Sequence, residues 1–371
     1  MSIYIHIPFC KKACHYCNFH FSTTRHQTDE MVNAICREIV LQEDYLKKPL
    51  ETIYFGGGTP SILTAEHIKK IMATIKDHYT IIACPEITIE ANPDDISKEK
   101  LESWKHTGIN RLSIGTQSFF DDDLQWMNRA HNSADAINSI QMAQDAGFNN
   151  ITIDLIYGTP TLTDEQWMKN LDTALSLHIP HLSCYALTVE HRTALYKFIE
   201  KGKIKNIDNE QQARQFEILM KLADGAGYEQ YEISNFAKPG FESKHNSNYW
   251  SGKPYLGIGP SAHSFNTHSR QWNISNNALY IQSMSKDEIP FEIETLSDVN
   301  KIDEYIMTSL RTNIGLDLHH PLLQNEKIQQ YLLTKASKWI SSEHLIKLNH
   351  QLTLTNKGKL MADGIAADLF V

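Results

Sequence analysis

A chain of 371 residues is longer than one ordinary hydrophobic core, so a large domain with a smaller companion is the expected organisation. The formal net charge of −9, from 44 acidic against 35 basic residues, gives no long-range attraction to nucleic acid or anionic lipid, and no apolar run approaches the ~20 residues of a membrane span. Without a signal-peptide pattern, and with six cysteines of which three are clustered, the composition points to a cytoplasmic protein and not to a disulfide framework.

The first predicted strand, Ile3 to Ile7, runs directly into Cys10-Lys-Lys-Ala-Cys14-His-Tyr16-Cys17. Thiolates hold iron–sulfur clusters, and three on one tight loop can reach three corners of a [4Fe–4S] cubane while leaving the fourth iron without a protein ligand. A zinc site completed by His6, His15 or His20 is the competing reading, and chance proximity a weaker one. A helix follows from about Thr28 to Lys47, with Met31, Ile35, Ile39 and Leu46 near one face. Further β-branched runs fall at Glu51 to Phe55, Glu86 to Glu90, Arg111 to Gly115, Asn150 to Ile156 and His181 to Ala186, each followed by an amphipathic stretch. Six βα units in series call for parallel pairing, because a parallel connection needs a crossover that a helix supplies. Periodicity leaves open whether they curl into a partial barrel or lie as a doubly wound sheet.

In either arrangement ligands bind at the C-terminal ends of the strands. Those ends read Gly56-Gly57-Gly58-Thr59-Pro60, then Glu90-Ala-Asn92-Pro93, then Gly115-Thr-Gln117-Ser118, with Asp154 on the fifth strand ahead of Tyr157-Gly158-Thr-Pro160. Successive glycines let the backbone approach a ligand, although a tight turn would use them equally. Glu90, Gln117 and Asp154 are more informative, since a carboxylate in a buried parallel strand is costly unless something pairs with it.

From Tyr228 to Phe265 the texture becomes aromatic, polar and glycine-rich, and includes His245-Asn246-Ser-Asn-Tyr249-Trp250, where a histidine beside two rings suits heme iron and a porphyrin face. His263 and Cys84-Pro85 are weaker heme-ligand candidates, expected to be structural. From about Leu296, helices at Val299 to Thr312 and Gln324 to Ile340 precede a strand pair within Leu345 to Leu354, a turn at Thr355 to Gly358 and a closing helix from Lys359. That order predicts a small winged-helix-like domain, with a packing or partner role in so acidic a chain. The expected division is 1–227, 228–295 and 296–371.

The Cys10, Cys14, Cys17 spacing with its Tyr4 and His6-Ile-Pro lead-in resembles the cluster loop of radical S-adenosylmethionine (SAM) enzymes, specifically the oxygen-independent coproporphyrinogen oxidase family. The resemblance spans nearly the whole chain. It implies an α/β fold, an incomplete (β/α)6 radical SAM barrel with a C-terminal winged-helix-like domain. It places Tyr4, Tyr16, Gly57, Gly58, Thr59, Glu90, Gln117, Arg129 and Asp154 at SAM-contacting positions, with Arg129 a fork for the methionine carboxylate and not a surface residue of the helix beginning near Asp121. Within the family, this chain has Phe19 where the oxidases carry a fourth cysteine, and it reaches Cys10 without their longer N-terminal extension. His245, Asn246, Tyr249 and Trp250 match the motif of the heme-chaperone branch. The resemblance therefore implies a heme chaperone with a [4Fe–4S] cluster, SAM and heme as cofactors. Heme, a heme-acceptor protein and a reductant such as a flavodoxin or ferredoxin would be its partners, with a homodimer one option for its assembly. An oxygen-independent coproporphyrinogen-III dehydrogenase and a zinc-stabilised scaffold are the alternatives.

Overall fold

Strands and helices alternate through the first half of the chain in a computed structural model that describes residues 1–371. The series is β1 (Ser2–Ile7), α1 (Thr28–Leu41), β2 (Leu50–Gly57), α2 (Ala65–His78), β3 (Ile81–Ala91), α3 (Lys98–Thr107), β4 (Arg111–Gln117), α4 (Asp121–Trp126), α5 (Ser133–Asp145), β5 (Ile151–Tyr157), α6 (Asp164–Ser176), β6 (His181–Ala186), α7 (Ala194–Glu200) and α8 (Asn209–Gly225). Local chemistry starts the helices. Thr64, Ser97, Asn132, Thr163, Thr193 and Asp208 each cap one by accepting a backbone N–H that has no intrahelical partner. The helix expected to reach Lys47 ends at Leu41, and turns carry the chain from there to Pro49 and β2.

β1 to β6 pair in parallel and in sequence order. With right-handed crossovers, sequential order puts every helix on the same face of the sheet and leaves the other face concave. The doubly wound alternative would need a reversal of strand order and is excluded. The two faces differ in chemistry. Ile3, Ile5, Ile53, Phe55, Ile89, Leu112, Ile153 and Leu182 point outward, are buried under the helices, and belong to a core cluster of 53 residues. Alternate positions, Tyr4, Tyr54, Glu90, Arg111, Ser113, Thr152, Asp154, His181 and Ser183, face inward and line a cavity.

The barrel is not closed. β7 (Glu229–Glu232) and β8 (Asn235–Ala237) add antiparallel strands beyond β6. After α9 (Lys244–Trp250), β9 (Tyr255–Ile258) returns to pair in parallel with β1. β10 (His263–Phe265), β11 (Ser269–Asn273), α10 (Asn277–Met284) and β12 (Phe291–Thr295) complete that side, giving one open sheet of 12 strands. The stretch read from sequence as a separate 228–295 extension thus completes both edges of the same sheet.

α11 (Asp298–Leu310), β13 (Leu316–Asp317), α12 (Glu326–Ser341), β14 (Leu345–Leu348), β15 (Gln351–Leu354), α13 (Asn356–Lys359) and α14 (Ala362–Leu369) form the winged-helix-like unit, with its own core of 13 buried residues and a three-stranded sheet. The strand pair turns at Asn349, which takes the left-handed conformation with φ 54. Thr355 to Gly358, expected as a turn, instead opens α13, with Thr355 as its N-cap.

Candidate functional site

The cysteine loop leaves the C-terminal end of β1 and is closed at its base, Cys10 N–H donating to Ser22 O (3.0 Å) and Ser22 N–H to Pro8 O (2.9 Å). Its middle is tied to the chain around α4 and α7: His15 N–H donates to Met127 O (3.1 Å), Asn128 Nδ2 to Ala13 O (2.8 Å) and Leu195 N–H to His15 O (2.8 Å). Thr59 Oγ1 donates to Cys10 Sγ and Arg129 Nη1 to Cys14 Sγ, each at 3.4 Å. Burial pushes the Cys10 and Cys17 thiols up to about 11. Such thiols give up their protons at neutral pH only when a metal takes their place.

The histidines of the zinc reading are committed elsewhere. His6 Nε2 donates to His20 O (2.9 Å), His15 Nδ1 to Trp126 O (2.8 Å) and His20 Nε2 to Asn277 Oδ1 (2.7 Å). Sulfurs on one tetrahedral zinc stand about 3.8 Å apart. The only three His, Cys, Asp or Glu ligand atoms within 4.8 Å of one another belong to Asp317, His319 and His350, far along the chain on the C-terminal unit. Three cysteines at wider spacing fit a cluster and not a single ion.

Next to the loop, Glu90 accepts from Tyr54 Oη (2.9 Å) and from Gly57 N–H (3.1 Å). Burial, reinforced by the charge of Asp154, pushes the Glu90 carboxyl up to about 8. Burial likewise raises Asp154 to about 6, opposed by Arg111 and Arg129. Arg129 lies beyond the end of α4 and is half-buried. Its Nη2 donates to Asn92 Oδ1 (2.7 Å) and Gly115 O (2.8 Å), while its Nε has no partner. A Cβ on Gly115 would stand 3.1 Å from Arg129 Nη2 and 3.2 Å from Gln117 Nε2, so those groups converge on space that only glycine leaves free. Gln117 itself is held at φ 66, where the β4–β5 register shifts. Tyr4 stacks on Tyr54 with ring centroids 6.0 Å apart, and Tyr16, half-buried, stands near Arg129 and the thiols.

The glycine run has a packing role of its own. A Cβ on Gly57 would come within 2.6 Å of the His6 ring, and one on Gly58 within 2.6 Å of Phe9 O. The end of β2 lies directly under the cysteine loop, and glycine is what lets it approach.

Of these groups Tyr4, His6, Tyr54, Glu90 and Asp154 line a cavity of about 660 Å³, which the cysteine loop borders through Asn18, Phe19 and His20 and whose floor is α9, at the N-terminal ends of the strands. The Glu86 carboxylate anchors that helix, accepting Lys244 N–H (3.0 Å) and His245 N–H (2.9 Å), and Asn248 Nδ2 donates to Ser2 Oγ (3.2 Å). His245 faces up into the chamber, its ring 4.8 Å from that of Tyr54 and its Nδ1 2.8 Å from Thr52 Oγ1. Burial, then the charge of Arg111, lowers the imidazole to about 3, so it is neutral. When Nδ1–H donates to Thr52, the Nε2 lone pair is free to ligate.

The other motif residues do not all share that chamber. Asn246 lines it, whereas Trp250 faces a second cavity of about 760 Å³ between α9 and the C-terminal unit, with the Arg311 guanidinium 5.0 Å from its ring centroid. Tyr249 borders both cavities. His263 is at the edge of the first, stacked 6.0 Å from Trp272, and Cys84 is exposed in the N-terminal half of β3, away from the rim.

Residues 4–174 match the family model of the radical SAM superfamily. The chain is 37% identical to the heme chaperone HemW of Bacillus subtilis, over 98% of this chain and 97% of that one. It is 31% identical to HemW of Mycobacterium tuberculosis (99% and 94% covered), and 31% identical to the bovine mitochondrial radical S-adenosyl methionine domain-containing protein 1 (99% and 87%). The chain belongs to the HemW-type radical SAM family. The solved structure of coproporphyrinogen III oxidase (HemN) from Escherichia coli, a radical SAM enzyme, superposes with a TM-score of 0.85 at 24% identity, covering 100% of this chain and 90% of that one, and shows the same fold.

Radical SAM proteins carry a [4Fe–4S] cluster and SAM, and the rim of this HemW-type chain has the donor set for both. Three thiols share one loop, two raised carboxylates have no ion-pair partner, and Arg129 keeps a buried N–H unmet. Sequence reasoning missed Tyr54, Arg111, Ser113, His181 and Ser183. The signal was present in the strands, where a polar residue recurs at every second position in Arg111-x-Ser113 and His181-x-Ser183. A parallel strand covered on both faces reads as a continuous apolar run, so such alternation marks a hollow inner face.

Proposed function

We propose that this protein is a heme chaperone that holds a [4Fe–4S] cluster through Cys10, Cys14 and Cys17, binds SAM between Glu90, Gln117, Arg129 and Asp154, and carries heme at His245 for delivery to an acceptor protein. The reading rests on one observation above all. A single chamber has the raised carboxyls of Glu90 and Asp154, with Asn18, Phe19 and His20 of the cysteine loop, in one part of its wall and the neutral imidazole of His245 on its floor. Bound there, the cluster and SAM supply an open iron and a latent radical source, reached by an electron from a reductant such as a flavodoxin or ferredoxin. The chain's own residues hold and orient. The raised carboxyls suit the ammonium and ribose hydroxyls of SAM, Arg129 suits its carboxylate, and Tyr4 and Tyr54 wall the space between rim and floor.

Hemin titration followed by visible spectroscopy tests this reading. Wild type is expected to give a ligated-heme Soret band, and His245→Ala to weaken binding by tenfold or more and shift that band. Identical affinity and spectra remove His245 from the assignment. Sustained protoporphyrinogen formation from coproporphyrinogen by the cluster-reconstituted protein, given SAM and reductant, would replace the chaperone reading with that of a dehydrogenase.

A further inference from the structure

The floor of the chamber holds a cation that nothing on the rim uses. Arg111, the first residue of β4, is 2% exposed, yet it makes no ion pair, and its Nε has no hydrogen-bond partner. Its register partner across the β3–β4 ladder, Thr88, has a buried Oγ1 that is also without one. The guanidinium lines the cavity, so its outer nitrogens face open space. A charge buried in this way is costly unless a counter-charge reaches it.

The surrounding groups do not supply one. Asp154 feels Arg111 through space, but its hydrogen bonds are with Ser183 and Ser113. His181 is engaged at both nitrogens, by Thr152 Oγ1 at 2.6 Å and Tyr231 Oη at 2.8 Å, and burial keeps it neutral. Glu86, on the same inner face, is occupied by the N–H groups of α9. His245 is neutral and close enough for Arg111 to act on it. A neutral imidazole with a free nitrogen therefore stands beside an unpaired guanidinium, at the end of the chamber away from the thiols.

We propose that Arg111 anchors a carboxylate of the ligand that reaches the chamber floor. On the heme reading above, on which this rests, that group is a propionate of the tetrapyrrole. The methionine carboxylate of SAM is a poor occupant, because it belongs beside the cysteine loop, where Arg129 already presents an unmet N–H. A guanidinium fork matches a carboxylate bidentately, which a lysine at this position would not do.

The test compares hemin with hemin dimethyl ester, which presents the same iron and macrocycle without carboxylates, on full-length wild type, Arg111→Gln and Arg111→Lys. Wild type should favour hemin over the diester by roughly 10- to 100-fold, the effect of a charge-assisted pair. Arg111→Gln should bind both with the diester's affinity, and Arg111→Lys should recover part of the preference. Because Arg111 has no partner in the ligand-free protein, Arg111→Gln should melt at or above the wild-type temperature. Equal wild-type affinity for hemin and diester, or a preference that survives in Arg111→Gln, overturns the anchor and leaves the heme reading in place. A folding defect or a lower melting temperature in Arg111→Gln makes the residue structural and also overturns it. Failure of wild type to bind hemin at all removes both.

Discussion

Glu90 and Asp154 concentrate the cost of having this site. Each is a carboxyl that burial has pushed toward its neutral form, and the charge of Asp154 raises Glu90 further. Glu90 rises from 4.5 to about 8, so between those pH values the folded protein holds a proton that the unfolded chain has released. Stability therefore falls as pH rises through that window. Glu90→Gln should flatten the fall in melting temperature of the ligand-free protein across it, while SAM affinity measured by calorimetry drops about tenfold or more. A variant that stabilises the protein and abolishes binding is the mark of a carboxylate kept for a ligand. Retention of both the pH slope and SAM binding would assign Glu90 to the fold alone.

Among the elements, the end of β2 and the cysteine loop are in close backbone contact. A methyl on Gly58 meets Phe9 O at 2.6 Å and Ile7 O at 2.9 Å, both backbone atoms that cannot rotate away. Gly58→Ala should cost about 1–3 kcal/mol and displace the loop. Iron content after anaerobic reconstitution should fall with the melting temperature. Gly225→Ala, at the end of α8 with no atom near its added methyl, should change neither.

Elements of this kind explain what could be read in advance. The six parallel strands were legible because isoleucine-rich runs such as Ile3-x-Ile5-x-Ile7 specify one buried face, and the rim was legible because Glu90 and Asp154 are out of place in strands unless a ligand pairs with them. The edge strands were not, since β7 and β8 are four and three residues long and carry glutamate, glutamine and asparagine, which signal no strand. Arg129 is a related case. The tight turn after α4, with Asn128 at φ 60, sends it inward, and the run of aspartates before it gives no sign of that turn. The floor of the chamber was hidden because α9, read as a heme motif, shows its place only through contacts with Ser2, Glu51, Thr52 and Glu86, far away in sequence.

At the scale of the whole molecule, the barrel and the C-terminal unit meet at Arg311. Its guanidinium pairs with Asp363 at 2.6 Å, stands 3.9 Å from the buried Glu232 and lies over Trp250, while Ile233 N–H donates to Arg311 O (3.0 Å) and Asn313 N–H to Tyr231 O (3.1 Å). Burial raises Glu232, so it depends on the cation beside it. Arg311→Ala should destabilise the protein by about 3 kcal/mol. Scanning calorimetry should then resolve a separate, earlier transition for the C-terminal unit, and a single unshifted transition would show that the junction does not depend on this residue.

The position of α9 has a kinetic consequence. Seven residues are too few to hold a helix alone, and this one is kept in place by its Ser243 cap, by Glu86 and by a few side-chain bonds to the starts of β1 and β2. With Tyr255 of β9 and Arg270 of β11, which border both, this helix separates two cavities of about 660 and 760 Å³. Local melting of so short a segment is an event set well below global unfolding in free energy and needs no rung of the parallel sheet to break. The wall between the two cavities can therefore loosen on a faster timescale than the sheet on which the rest of the site is built.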